Sequence, residues 1–203
     1  MPKAGYVTGS RFKAMMTQGR KKNEEWGTTS EKLAIRIALE RLGEIELELD
    51  TYTSDSMARG TAEEPNAIEA YERLHFVEIH GSQDFQQHPK HEYVGCTPDG
   101  LIGDEGIFET KNPDTENHVM HVLNGGQIDQ YDWQVHGSLW VMPDREYVDF
   151  FSHDSRIKSD WLNSDTIRVH RDEEKIKQLE NRYVLFNEKV EEYMDKILKV
   201  TND

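Results

Sequence analysis

Two acidic residues ten positions apart, with a glycine-bounded turn between them, set the strongest constraint in this chain. Thr97-Pro98-Asp99-Gly100-Leu101 is followed, after Gly103-Asp104-Glu105-Gly106, by Glu109-Thr110-Lys111. Glycine reaches turn conformations at no steric cost, so the spacing predicts two short strands joined by that turn. A hairpin of this kind brings Asp99 and Glu109 together. Side chains alternate along a strand, so Glu109 and Lys111 share a face. Paired carboxylates are hard oxygen ligands for Mg²⁺ or Mn²⁺. A lysine beside such a cation makes a site suited to hydrolysis of a phosphodiester. The bland alternative is a surface turn with an exposed Glu-x-Lys pair, and the surrounding segments weigh against it.

The chain has 203 residues, enough for a sizeable core in one domain. That domain is expected to span the whole chain, with a core over about 3–170 and a C-terminal amphipathic helix over about 172–200. No apolar run approaches the roughly 20 residues of a membrane span, and no secretory signal pattern is present. A cytoplasmic location is expected, in the host cytoplasm if the chain is viral. The lone Cys96 excludes an internal disulfide and any Cys-type zinc or iron–sulfur site within one chain. A net charge of −15 argues against a protein coated by nucleic acid. It allows a confined groove, where the local field and bound cations outweigh the total.

Along the chain, Val7-Thr8-Gly9-Ser10 reads as a turn into a short helix through Phe12, Met15 and Met16. Thr29 or Ser30 is the expected N-cap of a helix running to about Leu42. Residues 43–58 read as a loop and 61–74 as a second helix, with Pro65 in its first turn. Residues 76–111 are β-rich and 112–128 an irregular connection. A helix is expected over Tyr131–Val141, then strands over Tyr147–Ser152 and Thr166–His170. From Asp172 onward, Ile176, Leu179, Tyr183, Phe186, Val190, Tyr193 and Ile197 recur at spacings of three and four. Such a stripe docks on the parent domain or forms a subunit contact. The mixture predicts an α/β or α+β fold with a central mixed sheet flanked by helices.

Four segments extend the acidic pair into a site. Glu63 and Glu64 open a helix; adjacent acids there point differently, and Glu64 is the one expected to face inward. Tyr131 and Gln134 share a helix face. Gln134 suits a hydrogen bond to the lysine, a water or a phosphate. Thr8, Ser10 and Arg11 sit at a helix start, where N–H groups and hydroxyls suit a phosphate. Arg156 either touches a nucleic-acid backbone or pairs with Asp154. His118 and His121 have no evident third metal ligand, and the nine histidines are expected mostly at the surface.

Gly60…Glu64, Thr97-Pro98-Asp99-Gly100-Leu101, Glu109-Thr110-Lys111, Tyr131…Gln134 and Leu139-Trp140-Val141 together resemble, in order and spacing, the phage lambda exonuclease and YqaJ-type viral recombinase family. That family belongs to the PD-(D/E)XK nucleases, with a restriction-endonuclease-like core. The resemblance implies an Mg²⁺-dependent alkaline exonuclease acting 5′→3′ on linear double-stranded DNA and releasing mononucleotides; Mn²⁺ substitutes. It implies Asp99, Glu109 and the Thr110 backbone carbonyl as metal ligands, with Glu64 assisting the metal cluster. It implies Lys111 positioning or activating water, Gln134 and Tyr131 supporting the centre, and Ser10 holding a 5′-phosphate. It also implies a ring-shaped homotrimer and a single-strand annealing protein as partner. Lys3 stands where the family can carry an arginine, and a point charge replaces a bidentate fork. Asn112 stands where cysteine is common. Two rivals stay open: an endonuclease or structure-specific nuclease of the same fold, and a non-catalytic DNA-end binding or assembly module.

Overall fold

A computed structural model describes residues 4–19, 25–45, 55–81 and 83–201. In chain order the elements are β1 (Val7–Thr8), α1 (Arg11–Met16), α2 (Thr28–Leu42), α3 (Asp55–Ala62), α4 (Glu64–His75), β2 (Ile79–His80), β3 (Gln86–Gln87), β4 (Val94–Cys96), β5 (Gly100–Ile102), β6 (Gly106–Lys111), α5 (Thr115–Leu123), α6 (Asp132–Val141), β7 (Tyr147–His153), β8 (Ser164–His170) and α7 (Glu173–Thr201). Among the described residues, no helix is long and apolar enough to cross a membrane.

The expected hairpin is β5–β6, antiparallel, with Ile102 opposite Gly106 and Gly100 opposite Phe108. β6 then pairs in parallel with β7 from Gly106↔Tyr147 to Lys111↔Ser152. Parallel neighbours need a crossover connection, and α5 and α6 supply it. With β2 and β8 at the edges, the order is β2-β5-β6-β7-β8, the mixed sheet that the sequence predicts. One feature differs. β1, β4 and β3 form a separate three-stranded sheet, so Thr97-Pro98-Asp99 is the crossing from one sheet to the other.

β6 and β7 alternate between two cores. Ile107, Val148 and Phe150 join the larger cluster with Phe12, Ile37, Leu139, Leu179 and Phe186. Phe108 and Phe151 pack on the opposite side with Ala67 and Tyr71 of α4. A register slip of one residue would exchange the two faces, so this alternation pins the ladder. The long tail covers the core: Ile176, Leu179, Tyr183, Phe186 and Val190 of α7 are buried, and α7 packs on α2.

Several local expectations are corrected. The N-cap of α2 is Gly27 rather than Thr29 or Ser30. Ser30 is instead buried in the helix, donating to the Met15 carbonyl at 3.1 Å. Part of the stretch expected as loop forms α3 from Asp55, while residues 46–54 lie outside the described residues. The helix expected over 61–74 is divided between the end of α3 and α4, with Pro65 in the first turn of α4. Residues 115–123 are helical, although Asn117, His118, Val119 and Val122 are weak helix formers. Tertiary packing overrides propensity there: buried His118 meets Ser152 Oγ and the Leu162 carbonyl, each at 2.8 Å. His88, His136 and His153 are buried as well, so four of the nine histidines leave the surface.

A buried polar link fixes α4 to the sheet. Asp149 accepts from the Tyr71 hydroxyl and from Arg168 Nε at 2.8 Å and Nη2 at 2.7 Å. Removing the hydroxyl with Tyr71→Phe is expected to cost about 1–2 kcal/mol. Arg168→Ala strips the guanidinium that pairs with the buried Asp149 carboxylate and should cost more, about 2–3 kcal/mol, reduced because the guanidinium is half in solvent. Phe186→Ala, a large-to-small change in the core, should cost about 3–5 kcal/mol. Denaturant titration of the three variants checks this order.

Candidate active site

The crossing segment delivers Asp99 to the start of β5. The Thr110 backbone N–H donates to Asp99 Oδ2 at 2.8 Å, which ties the aspartate to β6. A Cβ on Gly100 would stand 2.1 Å from Ile79 Cγ2, so a glycine must follow Asp99 for β5 to close on β2. Glu109, on β6, is only 5% exposed. Lys111 Nζ donates to Glu109 Oε1 at 2.6 Å and to the Thr110 carbonyl at 3.2 Å, as the strand alternation predicts. Gln134 of α6 donates to the same Glu109 oxygen. The Tyr131 ring lies 5.5 Å from Lys111 Nζ, at the outer reach of a cation–π contact.

Glu64 and Glu63 diverge as expected. Glu64 accepts from Gln83 Nε2 at 3.3 Å and lines a cleft of about 400 Å³ with Thr110, Lys111, Asn112 and Tyr131. Glu63 turns away to accept from Ser155 Oγ at 2.7 Å. Asn112 braces the cleft wall: its Nδ2 donates to the Gly60 carbonyl at 3.0 Å, and its own carbonyl accepts from Arg59 at 2.9 Å. Its Oδ1 is buried without a partner among the described residues.

The charges are crowded. Burial first, and then the Glu109 charge, push Asp99 up to about 7 against the pull of Lys111 and the Thr110 N–H. Burial also raises Glu64, with Glu109 adding to it and Gln83 and Lys111 opposing. Burial pulls Lys111 down, but Glu109 and Asp99 more than offset it, and its ammonium is stabilised. Three carboxylates against one ammonium leave two negative charges when all are ionised, the deficit a divalent cation fills. Among the described residues no three His, Cys, Asp or Glu side chains form a ready-made metal cage. Mg²⁺ does not require one, since it keeps several waters and binds through one or two carboxylates. The donor set of Asp99, Glu109 and the Thr110 carbonyl fits it.

The remaining predicted residues lie elsewhere. Thr8 is in β1 beside Gly95, and Ser10 is the N-cap residue of α1, without a capping side-chain bond. Arg11 forks onto buried Glu40 at 2.8 and 2.6 Å and reaches the Tyr6 carbonyl at 2.8 Å. Arg156 pairs with Asp154 through Nε at 2.8 Å and Nη2 at 3.0 Å. The cleft beside Lys111 is lined by neither arginine. Lys3 lies outside the described residues. Sequence reasoning missed Gln83, Arg59 and Asn112. Gln83 carries no local signal, while Arg59 and Asn112 flank the motifs and are joined only by folding.

Residues 2–144 match the YqaJ-like viral recombinase domain. The chain belongs to that family. Among solved structures it is similar to an alkaline exonuclease from Laribacter hongkongensis, at 24% identity and TM-score 0.85, covering 98% of this chain and 95% of that one. The same exonuclease in complex with dAMP matches at 25% identity and TM-score 0.84, covering 98% and 94%. A phage-related exonuclease from Haemophilus somnus 129PT matches at 14% identity and TM-score 0.69, covering 97% and 96%. No curated protein matches the sequence. The long C-terminal helix lies beyond the matched YqaJ-like residues yet within the structural match, so it is part of the shared fold.

A carboxylate raised in the folded state binds more protons than the unfolded chain between its ordinary range and about 7. In chelator, stability contributed by Asp99 should therefore fall as pH rises through that window. Thermal unfolding of wild type and Asp99→Asn from pH 4 to 8 checks this. The variant should show the flatter decline.

Proposed function

We propose that this protein is a metal-dependent deoxyribonuclease that degrades linear double-stranded DNA from its ends, 5′→3′, releasing mononucleotides in phage-type recombination. The observation that carries the reading is the convergence of Asp99, Glu109 and Lys111, with Gln134, at one end of β6. Membership of the YqaJ-like family and likeness to proteins described as exonucleases support it. A binding module would have no use for two carboxylates and a lysine gathered at such electrostatic cost.

Asp99, Glu109 and the Thr110 carbonyl would hold Mg²⁺, or Mn²⁺ in its place, with Glu64 assisting. The cation, when bound, supplies charge neutralisation at the phosphate and a more acidic water. Gln134 holds the Glu109 carboxylate in one orientation. Lys111, fixed by Glu109 and by the Thr110 carbonyl, positions the attacking water or stabilises charge on the phosphate. Glu64, on a different element, faces the same cleft and bounds the space for the substrate. By resemblance we extend the proposal to a homotrimeric ring and a single-strand annealing partner. A ring would reconcile a net charge of −15 with a DNA-lined interior.

Linear duplex with a labelled 5′-phosphorylated end is digested beside closed circular DNA, with and without Mg²⁺. The expected result is metal-dependent release of mononucleotides from the 5′ end with the circle spared. Nicking of the circle would instead establish an endonuclease. Lys111→Ala should lower cleavage by at least about 100-fold while leaving DNA binding intact. Wild-type turnover by that variant would overturn the assignment of Lys111.

A further inference from the structure

A second cavity opens beside the catalytic cleft, and Pro113 and Tyr131 line both. Its volume is about 570 Å³, within the range of small-molecule sites. α5 and its C-cap residue turn Asn117, Met120, His121 and Asn124 toward it, an i, i+3, i+4, i+7 stripe along one face. Gly125 and Gly126 then adopt φ of +74° and +72°, and the Gly126 N–H closes onto the His121 carbonyl at 2.9 Å. That left-handed pair sends the chain back along α5, so Gln127 and Gln130 line the same cavity.

The lining has a definite chemistry. It contains no lysine or arginine but does contain Asp129, and His121 faces Asp165 at 3.1 Å. A phosphate is disfavoured there. Four exposed amides, Asn117, Asn124, Gln127 and Gln130, offer both donors and acceptors. The half-exposed Met120 thioether and the Tyr131 ring offer polarisable surface for a flat group. A neutral aromatic heterocycle with a hydrogen-bonding edge fits this set, held next to a site that takes the phosphate.

We propose that this cavity receives the base of the terminal nucleotide, the one released on cleavage, and that Asn117 and Gln127 contact its edge. The proposal rests on the nuclease reading above. Amides rotate to present either a donor or an acceptor, so all four bases are accepted with little preference.

The test compares linear duplexes whose degraded strand ends in a normal nucleotide or in an abasic tetrahydrofuran residue. Wild type should remove the abasic terminus about tenfold more slowly in the first turnover. The Asn117→Ala/Gln127→Ala double variant should remove the normal terminus at that slower rate and lose the discrimination. Equal rates for wild type on the two ends, or full discrimination by the variant, would overturn the proposal. Calorimetry with dAMP and with 2-deoxyribose 5-phosphate gives a readout independent of cleavage. Wild type should bind dAMP about tenfold more tightly, and the variant should bind both alike. Base-dependent binding without any DNA cleavage would keep the cavity assignment and sink the nuclease reading. Cleavage with no base dependence in either assay would do the reverse, and failure of both assays would overturn both.

Discussion

The Glu109 carboxylate sits almost fully buried in the sheet, and a charge in that position must be met by partners of its own. Lys111 meets it from two residues along the same strand, and Gln134 from α6, both on one oxygen. A buried carboxylate deprived of such partners is among the more costly features a fold can contain. The pairing therefore orients the end of β6, and the chemistry is arranged from that end. Asp99 joins through the Thr110 N–H rather than through a charge, which adds a second carboxylate without a second cation. The resulting excess of negative charge at the cleft is the feature on which the proposal of a divalent cation rests.

Around β6 the fold supplies rigidity. Its parallel ladder with β7 and the two cores on opposite faces leave no freedom of register. The Tyr71–Asp149–Arg168 link clamps α4 to the neighbouring strand, and α4 begins with Glu64. α6, which carries Gln134, is buried from Val135 through Val141. Each contributor to the site thus stands on, or at the end of, an element fixed by packing, the condition for holding catalytic groups in place. The amide-lined cavity is built on a less buried helix and a glycine turn, and its lining is exposed.

Legibility followed sequence distance. The hairpin, the shared face of Glu109 and Lys111, and the stripe of α7 rest on turn chemistry and short periods, and each appears where expected. Arg11 shows the opposite case. Its position at a helix start suits a phosphate, yet a buried Glu40, 29 residues away, takes the guanidinium. The residues of α5 have weak helical propensity, and the contacts of His118 with Ser152 and Leu162 make the helix. Burial of four histidines likewise has no local signature, because it depends on partners supplied by remote strands and loops.

The sequence by itself determined the acid–acid–lysine order, the hairpin that joins it and the family to which the chain belongs. These are local or ordered patterns that survive in one dimension. Only the tertiary structure decided that Glu40 takes the Arg11 guanidinium, that β1, β3 and β4 leave the main sheet, and that α5 and the loop after it wall a second cavity. Those outcomes depend on where separate elements meet. Contact across long stretches of chain is set by packing and by the pairing of buried charges, which no window of neighbouring residues contains.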